Sequence, residues 1–155
     1  MKLDPSAFIA DPELIQALDK QATPIACGED RVLFCQGDAP VGLFILKAGE
    51  ATLTMHSPAG KQIMSGQAAA GSLLGLPGLI GSEPYTLTAI ALAGAQLSFV
   101  PRDNFTTVMR TDPFLALKVL KVLAAEVRSA RNAILQRGSQ RPSRRAGQLT
   151  LSRMP

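Results

Sequence analysis

The stretch GEDRVLFCQGDAPVGLFILKAGEA, residues 28–51, decides the fold. Two short apolar runs in it are each closed by a turn, the first at Gly37 and the second at Gly49. Short β-prone runs divided by glycine and aspartate are typical of antiparallel strands, and glycine suits turns that need a positive φ. Because side chains alternate across a strand, Phe44 and Leu46 are expected to point into a β-roll.

The same alternation of short runs and turns continues on both sides of this stretch. Seven β-prone runs are predicted between Ala22 and Pro101, at residues 23–26, 32–35, 43–47, 51–55, 61–67, 87–92 and 96–100. This density of short strands predicts a mainly β domain of jelly-roll, sandwich or barrel type, extending over residues 22–110 with a short helix at its end.

Helical patterns flank the β region. Asp11 followed by proline and glutamate predicts the start of a helix in the N-terminal segment, residues 1–21, with aspartate as the cap. Asp112 followed by proline predicts the start of a long helix over residues 111–136, which Gly138 is expected to stop.

Apolar residues on the long helix recur at alternating spacings of four and three residues. The seam comprises Ala116, Leu120, Leu123, Val127, Ala130 and Ile134. A second apolar flank comprises Leu115, Val119 and Val122. We expect the flank to pack on the β domain and the seam to form a homodimer through Leu120, Leu123, Val127 and Ile134. In the alternative interpretation, the whole helix packs on its own domain.

Composition places the 155-residue chain among ordered single domains. Hydrophobic residues make up 46% and charged residues 18%, and mean hydropathy is +0.17. This combination excludes global disorder and predicts a large core or an apolar face for a partner. The sequence shows no membrane span and no signal peptide, so a cytoplasmic location is expected, with Cys27 and Cys35 as reduced thiols.

Charge is divided along the chain. Residues 1–126 hold nine basic and twelve acidic residues, whereas residues 127–155 hold seven arginines and no acid. Residues 137–155 lack apolar periodicity and are predicted to form a flexible, arginine-rich tail. Weak, salt-dependent binding of this tail to nucleic-acid phosphates is the alternative to a simply solvated tail.

The pattern in residues 28–51 resembles the cyclic nucleotide-binding domain of the catabolite-activator and fumarate-nitrate-regulator superfamily. The likeness rests on Gln36-Gly37-Asp38 and on the strand closed by Gly49, and it covers roughly residues 8–136. It implies an antiparallel β-roll with flanking helices and a long C-terminal dimerisation helix. It also implies a ligand bound between the roll and that helix.

In that family a phosphate-binding cassette places glutamate on the ribose and arginine on the cyclic phosphate. The corresponding stretch here is GLPGLIGSEPYTLT, residues 75–88, with Leu76 in the glutamate position and Tyr85 in the arginine position. Losing both polar contacts predicts that the chain does not bind cyclic AMP in the usual way. By position, the resemblance implies a ligand site of Gly75, Leu76, Gly78, Leu79, Tyr85 and Thr86, faced by Arg128, Ser129 and Asn132.

The expected function is therefore a stand-alone regulatory or sensor module, not an enzyme. His56 is the chain's one histidine, so no catalytic triad and no histidine metal pair is predicted, and no cofactor is identified. Some superfamily members bind haem through histidine, which leaves axial ligation by His56 as an alternative. Cys27 and Cys35 are expected to be small strand residues, with a redox-sensing thiol as the alternative.

Two further functions stay open on the sequence. One is a protein-interaction module that dimerises without a ligand, and the other is a nucleic-acid-associated protein acting through its basic tail. Regulators of the superfamily carry a winged helix-turn-helix beyond the dimer helix, and no such pattern follows Gln136. We therefore expect no sequence-specific DNA binding by this chain alone.

Overall fold

A computed structural model describes residues 1–139 of the chain. Eight strands form its centre: β1 (Thr23–Ala26), β2 (Arg31–Phe34), β3 (Gly42–Ala48), β4 (Ala51–His56), β5 (Gln62–Ala68), β6 (Ser72–Leu74), β7 (Thr88–Ala91) and β8 (Gln96–Pro101). The helices are a 3-10 turn (Pro5–Phe8), α1 (Pro12–Asp19), α2 (Leu76–Gly81), α3 (Arg102–Thr111) and α4 (Pro113–Ser139). The fold is the predicted mainly β domain with flanking helices.

The strands form two four-stranded sheets in which every pair is antiparallel. One sheet has the order β1-β8-β3-β6 and the other β2-β7-β4-β5. Strand neighbours are therefore mostly distant in sequence, as expected for a jelly-roll type of connection.

Strand β3 separates two hydrophobic cores because its side chains alternate between them. Phe44 and Leu46 lie in the core shared by the two sheets, whereas Leu43 and Ile45 lie in the core beneath α1, α3 and α4. Burial on both faces explains why this strand is a continuous apolar run in the sequence.

Helix α1 begins where its sequence predicts, and side-chain contacts anchor its other end. Asp11 caps it by accepting a hydrogen bond from the Glu13 N–H at 2.8 Å. At the other end, the Asp19 carboxylate accepts hydrogen bonds from Lys47 Nζ at 2.7 Å and Ser98 Oγ at 2.6 Å. The Lys47 hydrogen bond, followed by that of Ser98, lowers the pKa of Asp19. These contacts fasten α1 to the sheet that contains β3 and β8.

The seven predicted strands are present, and the turns at Gly37 and Gly49 have φ of 92° and 88°. The sequence pattern missed the three-residue strand β6 and the 3-10 turn. The expected stop at Gly138 is wrong, because α4 continues to Ser139. The predicted tail, residues 137–155, therefore overlaps three helical residues, and residues 140–155 lie outside the described part of the chain.

The two apolar faces of α4 have separate surroundings. The flank is buried, with Leu115, Val119 and Val122 between 2% and 6% exposed. In the seam, Leu120, Val127 and Ile134 are 56–60% exposed, whereas Leu123 is half-buried against the core beneath the helices. Pairing of two copies through the seam stays a prediction, as does its alternative.

No helix within residues 1–139 combines the length and the hydropathy needed to cross a membrane.

Candidate ligand-binding site

The cassette residues form a tight turn and a one-and-a-half-turn helix beside the shared core. Gly75 begins α2 with φ of 96°, and a Cβ there would lie 3.0 Å from the Tyr85 ring. A Cβ on Gly78 would lie 2.9 Å from the Glu83 carbonyl oxygen. Glycine is therefore needed at both positions to let α2 pack against the segment that carries Tyr85.

Tyr85, which the resemblance aligns with the family's arginine, is part of the core. Its side chain is 2% exposed and stacks on Phe34 with ring centroids 4.1 Å apart. Its hydroxyl donates to the Gly42 carbonyl oxygen at 2.8 Å and accepts from the N–H groups of Val41 at 3.0 Å and Gly42 at 3.3 Å. A phenol has one proton and two lone pairs to offer, so these three contacts use its whole capacity.

The space beside Tyr85 is nearly filled by side chains. The cavity there measures about 10 Å³, and its walls include Phe34, Leu74 and Thr86. About 10–15 Å³ is needed to hold one water molecule, whereas sites for drug-sized ligands measure about 300–1,000 Å³. The cavity has no room for a nucleotide in this conformation.

Two residues that the resemblance placed on the ligand side lie elsewhere. Leu76 is fully buried and Leu79 is 5% exposed, and both pack in the core beneath the helices. Neither lines the cavity beside Tyr85. Pro77 lines it instead, and since proline has no N–H, it also removes one of the backbone donors that a phosphate could use at the start of α2.

A larger apolar cavity lies between the roll and α4. It measures about 230 Å³. Its walls come from the N-terminal segment, the β4–β5 hairpin, the cassette and α4, and comprise Leu3, Phe8, Met55, Met64, Pro77, Thr86, Leu87, Glu126, Val127 and Ala130. Thr86 and Glu126 provide the polar side chains of this wall.

Glu126 lines both cavities and is the residue that sequence reasoning missed. Its Oε2 atom is buried without a hydrogen-bond partner. Desolvation by burial raises the pKa of this carboxyl from its ordinary 4.5 to about 8. Glu126 is therefore mostly protonated at neutral pH.

The periodicity of α4 contains the signal that identifies Glu126. The inward-facing positions follow spacings of four and three residues, with Leu115, Val119, Val122, Ser129 and Ala133 buried and Glu126 partly buried. Glu126 thus occupies the next inward-facing position after the apolar flank. A charged residue at such a position is unusual unless it is paired or functional.

The residues of α4 expected to face the cassette face other directions. Arg128 and Asn132 are exposed. Ser129 is 7% exposed, and its Oγ accepts a hydrogen bond from the Asp4 N–H at 2.8 Å. Asn132 and Ser129 line a separate cavity with the N-terminal segment. Glu126, Val127 and Ala130 face the cassette region in their place.

The remaining candidate residues lie outside both cavities. His56 is exposed at the end of β4, where its backbone N–H and carbonyl bond the Gln36 side chain at 2.8 and 2.9 Å. Cys27 is buried and Cys35 is exposed. Within residues 1–139, no group of three or more histidine, cysteine or acidic side chains is arranged to hold a metal ion.

Comparison with known proteins agrees with this architecture. The family model of the cyclic nucleotide-binding domain matches residues 24–112. The catabolite activator protein of Thermus thermophilus has a similar structure, with a TM-score of 0.70 and 19% identity over 87% of this chain and 63% of that chain.

Curated relatives are transcription regulators. A CRP-like cAMP-activated global transcriptional regulator of Mycobacterium tuberculosis is 22% identical over 122 residues, or 79% of this chain and 54% of the relative. The transcriptional activator protein anr of Pseudomonas aeruginosa is 24% identical over 130 residues, or 84% of this chain and 52% of the relative. The chain spans about half the length of these relatives.

Proposed function

The chain belongs to the cyclic nucleotide-binding domain family, and we propose that it is a regulatory module that senses a ligand other than a cyclic nucleotide. In this proposal, two copies pair through α4, and ligand binding between the roll and α4 alters that pairing. The relatives named above are transcription regulators, which supports a regulatory function over catalysis.

One observation carries the proposal: Tyr85, which the resemblance aligns with the family's arginine, is fully hydrogen-bonded to the backbone of residues 41 and 42. A cyclic phosphate in that place would be desolvated without a cation. Displacing Tyr85 would also leave buried peptide groups unpaired, at about 1–3 kcal/mol for each group. Leu76 offers no polar atom to a ribose and points into the other core.

The exposed face of α4 supports pairing between two copies. Leu117, Leu120, Val127 and Ile134 are 56–60% exposed, and the last three recur every seven residues. A seven-residue apolar repeat on one helix face is the pattern by which two helices pack together. The other face of α4 is buried in its own domain, so a partner helix can contact the seam without disturbing the core.

The position of the larger cavity supports a mechanism. Its wall includes Thr86 and Leu87 from the roll and Val127 from the seam face of α4. An occupant would therefore touch the roll and a residue of the pairing surface at once. A ligand shifts a two-state equilibrium only through different contacts in the two states, and this cavity borders the element that would change.

Titration calorimetry with cyclic AMP and cyclic GMP tests the proposal. We expect no binding heat at low micromolar concentration, because losing two charged contacts weakens affinity at least about a hundredfold. A cyclic-AMP-binding domain run in parallel serves as the positive control. A submicromolar dissociation constant for this chain would contradict the proposal.

A further inference from the structure

Glu126 lines the cavity between the roll and α4, and one oxygen of its carboxyl is buried without a partner. Glu126 Oε2 is inaccessible to solvent and makes no hydrogen bond. Leaving a buried acceptor unpaired costs about 1–3 kcal/mol, and more for a charged one. A ligand that binds the folded domain and bonds the Glu126 carboxyl would therefore stabilise the fold, and more so the tighter it binds.

The surroundings of Glu126 are apolar and contain no competing cation. Among the described residues that line the two cavities, none is lysine, arginine or histidine. The other titratable side chain there, Tyr85, uses its hydroxyl on the backbone. Phe8, Met55 and Met64 provide apolar walls, and methionine side chains adapt to irregular occupants.

We infer that this cavity binds a small amphiphilic amine, whose ammonium group pairs with Glu126 and whose hydrocarbon body lies among Phe8, Met55 and Met64. The inference rests on the proposal that the domain senses a ligand other than a cyclic nucleotide. A cation is favoured because, among the described residues that line this cavity, the Glu126 carboxyl is the one ionisable group and no cation is present to pair with its ionised form. The volume of about 230 Å³ suits a molecule smaller than a drug-sized ligand.

Binding of an amine is coupled to proton release. Burial holds the pKa of Glu126 near 8, so at pH 7 the empty site carries a neutral carboxylic acid. An ammonium ion stabilises the carboxylate, and the acid then gives its proton to the buffer. At pH 7 we expect close to one proton released for each amine bound, whereas a neutral ligand accepting a hydrogen bond from the acid would release none.

Octylamine, octanol and octanoate are suitable probes because they share one chain and differ in the head group. Calorimetry at pH 7 in two buffers of different ionisation enthalpy measures affinity and proton release together. We expect octylamine to bind about tenfold to a hundredfold more tightly than octanol. Equal affinity for octanol, tighter binding of octanoate, or no binding of octylamine would overturn the inference.

Glu126→Gln is the matched test of the residue, and Glu50→Gln is its control at an exposed position. Glutamine keeps the shape of glutamate but cannot ionise, so this variant should lose the preference for octylamine and the proton release. Glu50→Gln should keep both. Unchanged octylamine binding by Glu126→Gln would refute the role of Glu126. Tight cyclic AMP binding would instead refute the proposed function, so the two failures are distinguishable.

Discussion

Replacing Glu126 with glutamine should change how the stability of the domain depends on pH. Below pH 4.5 the carboxyl is protonated in both the folded and the unfolded chain, and it contributes no difference. Above that pH the unfolded chain releases the proton, whereas burial keeps it on the folded chain up to a pKa of about 8. The unfolded state therefore becomes more favourable as pH rises.

The size of the effect follows from the displacement of the pKa. One pKa unit corresponds to about 1.4 kcal/mol, so across the window from 4.5 to about 8 the loss is on the order of 5 kcal/mol. Asp11 and Asp19 have pKa values lowered from 3.8, and Lys118 has one raised from 10.5. The stability linked to these three groups changes outside the window and is common to both proteins.

Urea unfolding of wild type and Glu126→Gln at several pH values between 5 and 8, about one unit apart, measures the difference in their free energies of unfolding. Protein concentration must be held constant, because pairing of two copies adds to the measured stability. We expect wild type and Glu126→Gln to be similar near pH 5, and wild type to become progressively less stable than the variant toward pH 8. Parallel pH profiles for the two proteins would refute the assigned environment of Glu126.

Three further substitutions test the fold and the pairing surface. Tyr85→Phe should lower the free energy of unfolding by about 1–3 kcal/mol, because peptide groups at Gly42 lose their partner. A urea-unfolding midpoint equal to that of wild type would contradict this. Val127→Glu should sediment as a monomer at a concentration where wild type is dimeric. The control Val32→Glu changes an exposed valine on β2 and should stay dimeric. A wild-type protein that is monomeric at high micromolar concentration would contradict the pairing. Asp19→Asn should lower the melting temperature at pH 7, and the difference in melting temperature from wild type should shrink as pH falls below 3.8. A difference that stays constant over this pH range would contradict the assigned ion pair.

Much of the fold could be predicted because turn residues and strand runs alternate so regularly. Gly37 and Gly49 have the positive φ that their turn positions require, and β3 lies where its apolar run predicts. Strand β6 was missed because three residues are too few to show a period of two. Gly138 did not stop α4, since one glycine inside a helix costs only about 1 kcal/mol.

The candidate site could be predicted in part. The resemblance aligned Tyr85 with the family's arginine, but an alignment gives a position and not the contacts that a new side chain makes. The hydrogen bonds of Tyr85 to Gly42 depend on β3 and α2 being brought together by the fold. Likewise, Leu76 replaces a residue that would face a ligand, yet as an apolar side chain it is more stable in the core beneath the helices.

The sequence prediction named the wrong residues of α4 for the site because it assumed the wrong rotation of the helix about its axis. The flank of α4 was followed only to Val122, whereas the same spacing continues to Glu126. Residues 128 and 132 were expected to face the cassette by analogy, but the rotation of α4 on the roll places Val127 and Ala130 there. Such a rotation depends on packing against the whole domain and cannot be deduced from the helix sequence alone.

The central claim is that the position of the phosphate-binding arginine is closed by Tyr85. Amide chemical shifts measured by NMR during a titration with cyclic AMP to about 1 mM test it residue by residue, since binding even at that strength would be visible. We predict that the amides of Val41, Gly42, Gly78 and Tyr85 do not move. Saturable shifts at these four amides within that concentration range would contradict the account.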